Sequence, residues 1–456
     1  MAGHMVSTGD PLSIGAADLT VDRLGEPGVV SPMARLLRSR ASSPHYVHET
    51  DRVLLDDTAA MAAARGGLVS EMPSLEPGGP REYIYFDPAR IRVGIVTCGG
   101  LCPGLNNVIR GLVLGLSENY GVTDILGFRN GYQGLAGDHE PVRLTPAVVA
   151  DIHNRGGTIL GTSRGGQDTD EVVATLARLE ISALFVVGGD GSLRGAQEIA
   201  DAAAARGMAL SVVGVPKTID NDVPYIDHSF GFQTAFARAA ESISAAHTEA
   251  SSTPHGVGLV KVMGRHSGFI ACYAALANYD ADCVLIPEVP VNLDGPDGFL
   301  AWLRGRVRQR GHAVIVVAEG AGQDLFARAG DRDASGNVRL ADMGALLRER
   351  IIDDFAAAGT PLSLRYFDPG YAIRGVPANA YDAVFCLRLA QAAGHAAMAG
   401  HAAMAGRTAM VVGRWHGRFV HLPISLATGS RNLVDPDGDL WMSVLEVTGQ
   451  PPRFGG

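Results

Sequence analysis

The turn Gly188-Gly189-Asp190-Gly191-Ser192 follows an apolar run, residues 183–187, that reads as a buried strand. Glycine lets a backbone approach an anion closely because it has no Cβ. A helix that starts after the turn would direct free N–H groups and its positive dipole end toward that anion. Asp190 could cap this helix or, beside phosphates, hold Mg²⁺ directly or through water. The turn is therefore a candidate phosphate and metal site.

A second candidate is the segment Lys217-Thr218-Ile219-Asp220-Asn221-Asp222, which follows another apolar run, residues 210–215. Its two aspartates can converge on one substrate in a loop. One of them could accept the proton of an attacking hydroxyl while the other steadies a metal or the local geometry. A solvated acidic turn is the plainer alternative. Together with the first turn, this segment suggests magnesium-assisted phosphoryl transfer.

Cations that could bind phosphate occur in three further segments. One is the glycine-rich stretch 161–166, which carries Arg164; the stretch 94–107 is also glycine-rich but has no cation. Residues 263–268 carry Arg265 and His266 after a strand-like run, and Arg365 and Arg374 flank Tyr371. Each arginine alone is typical of a protein surface, but arginine forks bind phosphate bidentately and the chain is acidic overall. His266 could be catalytic or simply hydrogen-bonded in the core.

The elements that must position these residues alternate along the chain. Strand-like runs at 93–97, 183–187, 212–215, 256–262 and 313–318 are separated by alanine-rich helical stretches, of which 236–250 is the clearest. This alternation predicts an α/β protein with parallel sheets and helices on both faces. Ligands gather at the carboxyl ends of strands in such sheets, and each motif above lies at such an end.

Bulk composition limits the possible functions. The chain has 456 residues and a formal net charge of −10, which argues against nucleic-acid and anionic-membrane partners. It lacks an apolar run of about 18 residues, so we expect no membrane span. The cysteines are Cys98, Cys102, Cys272, Cys283 and Cys386. They are odd in number and scattered, which favours buried thiols in a reducing cytoplasm over disulfides or a zinc site.

The N-terminal region differs from the rest of the chain. Residues 1–5 look like a cloning remnant, and residues 6–88 form an extension that is rich in Ala, Gly, Pro and Ser, with a linker-like stretch at 71–80. We expect this arm to be partly irregular and wrapped on the body or on a neighbouring subunit.

One hexapeptide, Gly-His-Ala-Ala-Met-Ala, occurs twice in succession, at 394–399 and 400–405. Six residues advance a helix by about 600°, so a helical second copy cannot present the same face as the first. His395 and His401 could be read as a metal pair, but their spacing puts them on different faces. A tolerated tandem duplication is the interpretation that we favour.

Taken together, seven motifs resemble the phosphofructokinase family in order and spacing over about residues 90–453. They are GGLCPGLN, GGTILGTSRGG, GGDGS, PKTIDND, KVMGRHSGFIA, AEGAGQ and YAIRGVPANAYD. The chain is most similar to the long branch found in plants, trypanosomatid parasites and some bacteria. This resemblance implies two Rossmann-like three-layer α/β/α domains with the active site in the cleft between them. A nucleotide-binding domain would comprise 89–230 plus about 373–430, and a sugar-phosphate-binding domain would comprise 231–372 plus about 431–456.

The resemblance also implies roles for individual residues. Gly99, Gly100, Arg164 and the turn Gly189, Asp190, Gly191 and Ser192 would line the phosphates of ATP, with Asp190 serving Mg²⁺. Asp220 would be the base on the sugar hydroxyl, with Thr218 and Asp222 beside it. The sugar phosphate would be held by Met263, Gly264, Arg265, Glu319, Tyr371 and Arg374. Arg365 would reach a neighbouring subunit's ligand, which implies a homodimer or homotetramer.

The resemblance implies ATP-dependent phosphorylation of the 1-hydroxyl of fructose 6-phosphate. Gly191 leaves room for the α-phosphate of ATP, where pyrophosphate enzymes of the family carry Asp, whereas Lys217 is shared with the pyrophosphate enzymes. The long branch combines both residues and uses ATP. A pyrophosphate-dependent enzyme, a kinase of sedoheptulose 7-phosphate and a catalytically silent metabolite-binding regulator are the alternatives. The chain departs from the short enzymes by Tyr371 in place of His and by the absence of an arginine near Gly256.

Overall fold

A computed structural model describes residues 14, 16–37, 46–48, 50–64, 66–137, 139–326, 339–401 and 404–455. The described strands form three sheets, of nine, four and five strands. They are β1 (Arg23–Gly25), β2 (Val29–Val30), β3 (Val53–Leu54), β4 (Ser74–Pro77), β5 (Tyr83–Ile84), β6 (Arg92–Thr97), β7 (Asp124–Phe128), β8 (Val142–Arg143), β9 (Ile181–Gly188), β10 (Ser211–Pro216), β11 (Gly256–Val262), β12 (Cys283–Leu285), β13 (His312–Ala318), β14 (Ser363–Phe367), β15 (Ala399–His401), β16 (Met404–Arg407), β17 (Met410–Trp415) and β18 (Arg418–Pro423).

Helices connect most of these strands. They are α1 (Ala34–Leu37), α2 (Ala59–Ala64), α3 (Leu105–Leu114), α4 (Tyr132–Leu135), α5 (Thr169–Arg178), α6 (Asp190–Ala205), α7 (Phe232–Ser251), α8 (Phe269–Asn278), α9 (Phe299–Arg310), α10 (Met343–Ala357), α11 (Gly370–Arg374), α12 (Ala380–Met398), α13 (Ile424–Gly429) and α14 (Asp439–Thr448). Short 3₁₀ turns occur at Ala16–Leu19, Val69–Glu71, Ile152–Asn154 and Gln323–Leu325, and a π-helical stretch, Gly115–Tyr120, continues α3. Within the described ranges, no helix is both long and apolar enough to cross a membrane.

The nine-stranded sheet has the order β3-β4-β18-β17-β10-β9-β6-β7-β8. Its centre, β17-β10-β9-β6-β7, is parallel, and the outer strands on both sides pair antiparallel. The four-stranded sheet, β12-β13-β11-β14, is parallel throughout. The five predicted strands and the predicted helix at 236–250 are all present, and most extend by one or a few residues beyond the predicted bounds.

Both large sheets are covered on their two faces, which explains why their strands read as continuous apolar runs. In β9, Phe185 and Val187 pack toward the core beneath α3 and α12, while Leu184 and Val186 pack toward α5 and α6. In the four-stranded sheet, α7 and α8 cover one face, and α9 and α10 cover the other. The α/β prediction with two three-layer units is thereby confirmed. The predicted residue boundaries of the two domains stay a prediction.

The described part of the N-terminal extension lies on the body of the same chain. Strand β4 pairs with β18 and so extends the nine-stranded sheet, while β1, β2 and β5 form the five-stranded sheet with β15 and β16. The junction is fixed by a buried ion pair, since the guanidinium of Arg81 donates to the carboxylate of Glu76 at 2.7 Å. The same carboxylate lies 3.2 Å from Nδ1 of His421 on β18. The proposed cloning remnant, residues 1–5, lies outside the described residues.

The two copies of the duplicated hexapeptide do not form one continuous helix. The sequence-based comparison of helical faces assumed that they did, and this assumption was wrong. The first copy ends α12, which stops at Met398 because Ala399 adopts an extended conformation. The second copy falls on the hairpin β15–β16, whose residues 402 and 403 lie outside the described part of the chain. His395 contacts the Tyr120 hydroxyl, with 2.7 Å between that oxygen and Nδ1. Burial lowers the pKa of His395 to about 4, so this imidazole is neutral.

Candidate active site

A cleft of about 670 Å³ lies at the carboxyl ends of strands from both large sheets. Gly189 follows β9 and Lys217 follows β10 on the nine-stranded side, while Met263 follows β11 and Glu319 follows β13 on the four-stranded side. Because the carboxyl ends of parallel strands meet at one edge of a sheet, residues far apart in the chain converge here. The strand-end rule therefore predicted from sequence where this cleft lies.

The GGDGS turn forms the N-terminus of α6, with Gly189 as the N-cap and Asp190 as its first residue. A Cβ on Gly188 would overlap the side chain of Ser192, so only glycine fits there. A Cβ on Gly191, in contrast, would meet no atom of the described structure within 4 Å. The turn thus presents unpaired helix N–H groups and open space to the cleft, an arrangement that suits an anion.

The two other glycine-rich segments are hydrogen-bonded to each other beside this turn. The N–H of Gly99 donates to the carbonyl of Ser163 at 3.2 Å, and the Thr162 hydroxyl donates to the carbonyl of Gly99 at 2.6 Å. Gly99 has φ of +79°, a conformation that favours glycine. All the residues predicted for the nucleotide phosphates line the cleft: Gly99, Gly100, Arg164, Gly189, Asp190, Gly191 and Ser192.

The segment after β10 is a tight loop held by its own side chains. The Thr218 hydroxyl donates to Oδ1 of Asp222 at 2.7 Å and accepts from the N–H of Asp220 at 3.2 Å. Asn221 has φ of +59°, and its side-chain oxygen accepts from the N–H of Ser229 at 2.8 Å. These bonds explain why polar residues follow one another here. They also fix the directions of the two carboxylates.

Asp220 has the environment of a general base. Among the described residues, nothing hydrogen-bonds to its buried Oδ1, while Oδ2 accepts weakly from the N–H of Arg265 at 3.4 Å. Burial, the Asp222 carboxylate and the Glu319 carboxylate raise the pKa of Asp220 to about 7. A carboxylate with a pKa near neutrality and an unused acceptor oxygen can take a proton from a bound hydroxyl.

Lys217 lies buried beneath the two glycine turns. Its N–H donates to the carbonyl of Gly188 at 2.9 Å, and its ammonium lies 3.8 Å from the point where a Gly99 Cβ would stand. Burial lowers the pKa of Lys217, partly offset by the nearby Cys102, Cys98 and Asp220. The two cysteines themselves have pKa values raised by burial to about 12, so they stay protonated.

On the side of the four-stranded sheet, the cleft is lined by Met263, Arg265, His266 and Glu319. Gly264 has φ of +123° and its carbonyl accepts from the N–H of Gly320 at 3.0 Å, so the loops after β11 and β13 are joined. Gly264 therefore shapes the wall without lining it. Burial and the neighbouring Arg431 lower the pKa of His266, which keeps that imidazole neutral near pH 7.

Besides Gly264, two predicted residues do not line the cleft within one chain. Arg365 lies half-exposed on the edge strand β14, with its Nε 3.5 Å from the Glu249 carboxylate. Tyr371 is 86% exposed, and the guanidinium of Arg374, which does line the cleft, lies 5.0 Å over its ring. Their predicted contacts with a sugar phosphate stay predictions.

Arg431 lines the cleft but was not predicted from the sequence. It lies just after α13, and its guanidinium donates to Oδ2 of Asp222 and, at 2.6 Å, to Oδ2 of Asp190. No glycine-rich turn or apolar strand precedes it, so local sequence carries no signal for a site residue. Arg194 and Glu198, one and two turns into α6, also line the cleft and were not predicted.

Asp190 is the residue best placed to hold a metal. Its pKa is raised by burial and by Asp222, and the guanidinium of Arg431 opposes this shift. The described residues contain no group of three or more His, Cys, Asp or Glu side chains that could enclose a metal ion. A single carboxylate at a phosphate site fits Mg²⁺, which commonly takes its other ligands from substrate phosphates and water.

The fold and the cleft define an α/β protein in which glycine turns, buried carboxylates and arginines converge between two sheets. Residues 92–397 match the family described as Phosphofructokinase, and the chain belongs to this family. It is 60% identical over 447 residues to an ATP-dependent 6-phosphofructokinase of Amycolatopsis methanolica, covering 96% of each chain. It is 42% identical over 445 residues to one of Trypanosoma cruzi, covering 94% of this chain and 87% of that one.

Solved structures share the fold. A pyrophosphate-dependent phosphofructokinase of Nitrosospira multiformis superposes with a TM-score of 0.64 at 19% identity, covering 80% of this chain and 93% of that one. A phosphofructokinase of Pichia pastoris in the T-state superposes with a TM-score of 0.60 at 24% identity, covering 74% of this chain and 35% of that one. The expected family and α/β fold are both confirmed.

Proposed function

We propose that the protein is an ATP-dependent 6-phosphofructokinase, a phosphotransferase that moves the γ-phosphate of ATP to the 1-hydroxyl of fructose 6-phosphate. The observation that carries the proposal is Asp220, a buried carboxylate with one unused oxygen and a pKa of about 7, in a cleft with the GGDGS turn. Support also comes from the relative at 60% identity, whose name carries this activity.

The nucleotide would lie along the nine-stranded side of the cleft. Its phosphates would meet the N-terminus of α6 at Gly189, Gly191 and Ser192, while Gly99, Gly100 and Arg164 would line the opposite side. Helix N–H groups and the Arg164 guanidinium would supply local positive potential in a chain whose net charge is −10. Mg²⁺, held through Asp190, would neutralise phosphate charge as the phosphoryl group is transferred.

The sugar phosphate would lie on the opposite side of the cleft. Arg265 and Arg374 would pair with its phosphate, and Met263 and Glu319 would contact the sugar, with Gly264 holding the loop and Tyr371 flanking Arg374. Asp220 would take the proton of the reacting hydroxyl, while Asp222 and Thr218 fix the loop that carries it. Transfer then depends on alignment of the hydroxyl with the γ-phosphate, which positioning residues supply.

We place ATP ahead of pyrophosphate because of the space at Gly191. A side chain there would point into the open cleft, toward the position expected for the α-phosphate of ATP. Lys217, the residue that pointed to pyrophosphate, lines the cleft but is largely buried, with its backbone N–H bonded to Gly188 and its ammonium near Gly99, which suits a role in supporting these two turns. Initial rates with ATP and with pyrophosphate test this choice, and faster turnover of pyrophosphate would reverse it.

The same assay tests which sugar phosphate is the substrate and whether the protein is a catalytically silent regulator. Fructose 6-phosphate and sedoheptulose 7-phosphate are compared at saturating ATP and Mg²⁺, and we expect the higher kcat/KM for fructose 6-phosphate. Turnover with neither sugar under either donor would favour a metabolite-binding regulator. Retention of Asp190, Asp220 and Asp222 in one cleft favours an active enzyme.

We further propose that the enzyme is a cytoplasmic homodimer or homotetramer in which Arg365 reaches a neighbouring subunit's sugar phosphate. Arg365 is half-exposed on an edge strand, and its partner in the same chain, Glu249, is an exposed carboxylate that costs little to give up. All five cysteines are buried and unpaired, which agrees with a reducing compartment. Light scattering on the active enzyme tests the assembly, since an active monomer would remove this role for Arg365.

A further inference from the structure

Arg431 joins two carboxylates that belong to different elements of the active-site cleft. Asp190 starts α6, whereas Asp222 ends the loop after β10, and the guanidinium donates to one oxygen of each. The side chain of Asp222 is buried, and that of Arg431 is 32% exposed. The guanidinium therefore bridges the two carboxylates in a partly buried position and is not a fully solvated surface ion pair.

The backbone on the C-terminal side of Arg431 is tied to the same region. The N–H of Asn432 donates to the carbonyl of Asp222 at 2.9 Å. The N–H of Val434 donates to Oε1 of the half-buried Glu288 at 2.8 Å, and that oxygen also accepts from the N–H of Gly268 at 2.9 Å. Residues 431–434, which we name the C-terminal strap, are thus fixed both to the catalytic loop and to the loop that carries Arg265.

The two carboxylates need a counter-charge. Two ionised carboxylates at this distance repel each other, and a guanidinium that bonds to both offsets the repulsion. A divalent cation at Asp190 would meet the same electrostatic requirement. A metal–nucleotide complex held by Asp190 would therefore compete with Arg431 for this carboxylate.

We propose that Arg431 is the internal counter-cation of the ligand-free site, which pairs with Asp190 and Asp222 until a metal–nucleotide complex takes Asp190. Arg431 then stays on Asp222 and acts as a positioning residue for the catalytic loop, through the strap. The inference rests on the proposed function for the identity of the nucleotide. The competition at Asp190 involves only residues of this chain and a divalent cation.

The test is thermal unfolding of the full chain with Mg²⁺ alone as the probe, against NaCl of equal ionic strength. In the wild type, Arg431 occupies the carboxylates, and we expect no rise in Tm beyond that of NaCl. In Arg431→Met, which keeps the chain length of the side chain but removes its charge, Mg²⁺ can pair with the vacated carboxylates. At Mg²⁺ ten times its Kd, we expect the Tm of this variant to rise by about 2 °C.

Two controls separate this effect from a general one. The double variant Arg431→Met, Asp190→Asn should lose the Mg²⁺-dependent rise, and Arg238→Met, on the exposed surface of α7, should behave like the wild type. Equal shifts in the wild type and in Arg431→Met would overturn the proposal, as would no shift in Arg431→Met. If that variant does not fold, Arg431→Lys replaces it, because a single ammonium cannot span both carboxylates. A smaller rise is then expected, and its absence overturns the proposal.

A kinetic measurement addresses the positioning role. Arg431→Met should lower kcat more than it raises KM for ATP, and Arg431→Lys should recover part of kcat. A change confined to KM would overturn the positioning role. The thermal titration needs no turnover, so an inactive wild type would contradict the proposed function and leave the result on Arg431 standing.

Discussion

The two large sheets contribute different chemistry to the same cleft. The nine-stranded side supplies glycine turns and the N-terminus of a helix, so it presents backbone to the cleft at Gly99 and Gly189. The four-stranded side supplies side chains, above all Arg265 and Glu319. A close backbone approach suits a polyphosphate that must be aligned, whereas side-chain cations suit a single phosphate that must be anchored. The difference supports the proposal that ATP lies on the nine-stranded side and the sugar phosphate on the four-stranded side.

The catalytic loop belongs to the first sheet and is supported by the second. It follows β10, but the carbonyl of Asp220 accepts from the Ser267 hydroxyl at 3.0 Å, and its Oδ2 accepts from the N–H of Arg265. Any movement of one sheet against the other would therefore change the position of Asp220, the proposed base. Because Asp220 is contacted from both sides, substitution of this residue is the most direct test of how the two sides cooperate.

The largest effect is expected from Asp220→Asn. The substitution keeps size and polarity but removes the proton acceptor, a role valued at about 10²–10⁴-fold in rate. We expect kcat to fall by that factor while KM for fructose 6-phosphate changes little, because the interaction forms mainly in the transition state. Steady-state kinetics at pH 8 measure both values. Near-normal kcat would move the assignment to Asp222.

The next largest effect is expected on the four-stranded side of the cleft, which supplies side chains. Arg265→Ala removes a charged donor from the proposed sugar-phosphate site, and hydrogen bonds to charged groups imply a rise of about 10- to 100-fold in KM for fructose 6-phosphate. KM for ATP should change far less. The matched control is Arg238→Ala, an exposed arginine paired with Glu241 on α7, which should leave both values unchanged. Equal losses for both substrates would contradict the division of labour between the sheets.

A smaller effect is expected on the nine-stranded side of the cleft, which presents backbone at its glycine turns. Gly191→Asp puts a carboxylate into space that is open in this structure, and like charges about 4 Å apart imply a fall of about tenfold in kcat/KM for ATP. The reaction with pyrophosphate, however slow, should fall much less. Gly191→Ala is the control, because its methyl group fills the same space without charge. Parallel losses for both donors would mean that Gly191 does not select the donor.

The sequence predicted these regions well because both rest on local patterns. Strand β9 is buried on both faces and so reads as an uninterrupted apolar run, and the glycine turn after it marks where the run must end. In a parallel sheet, this end is also where ligands gather. Most of the predicted residues therefore line the cleft, and their roles stay predictions.

Contacts between distant segments could not be found in this way. Arg431 lies 209 residues from Asp222 and 241 from Asp190, and no turn or apolar run marks it. The duplicated hexapeptide is a related case. Its two copies were compared as parts of one continuous helix, but α12 ends at Met398 within the first copy. Arg365 and Tyr371 are exposed in one chain, so the roles proposed for them require a neighbouring subunit or a bound ligand.

The smallest expected effect is a shift in pH dependence. Asp220 must be ionised to accept a proton, so activity should rise as the pH increases through its pKa of about 7. The Asp222 carboxylate is the first charge that raises this pKa after burial itself. Asp222→Asn keeps an acceptor for the Thr218 hydroxyl but removes the charge, so the acid limb of kcat/KM should move to lower pH by about 0.5–1 unit.

A profile of kcat/KM for fructose 6-phosphate between pH 5.5 and 9 measures this shift, because that ratio reports the ionisations of the free enzyme. Asp201→Asn, which removes an exposed carboxylate from the surface of α6, serves as the control and should leave the acid limb in place. A limb that moves to higher pH in Asp222→Asn would mean that Arg431, freed from Asp222, no longer stabilises the ionised base. The sign of the shift therefore distinguishes a direct charge effect of Asp222 on Asp220 from one transmitted by Arg431.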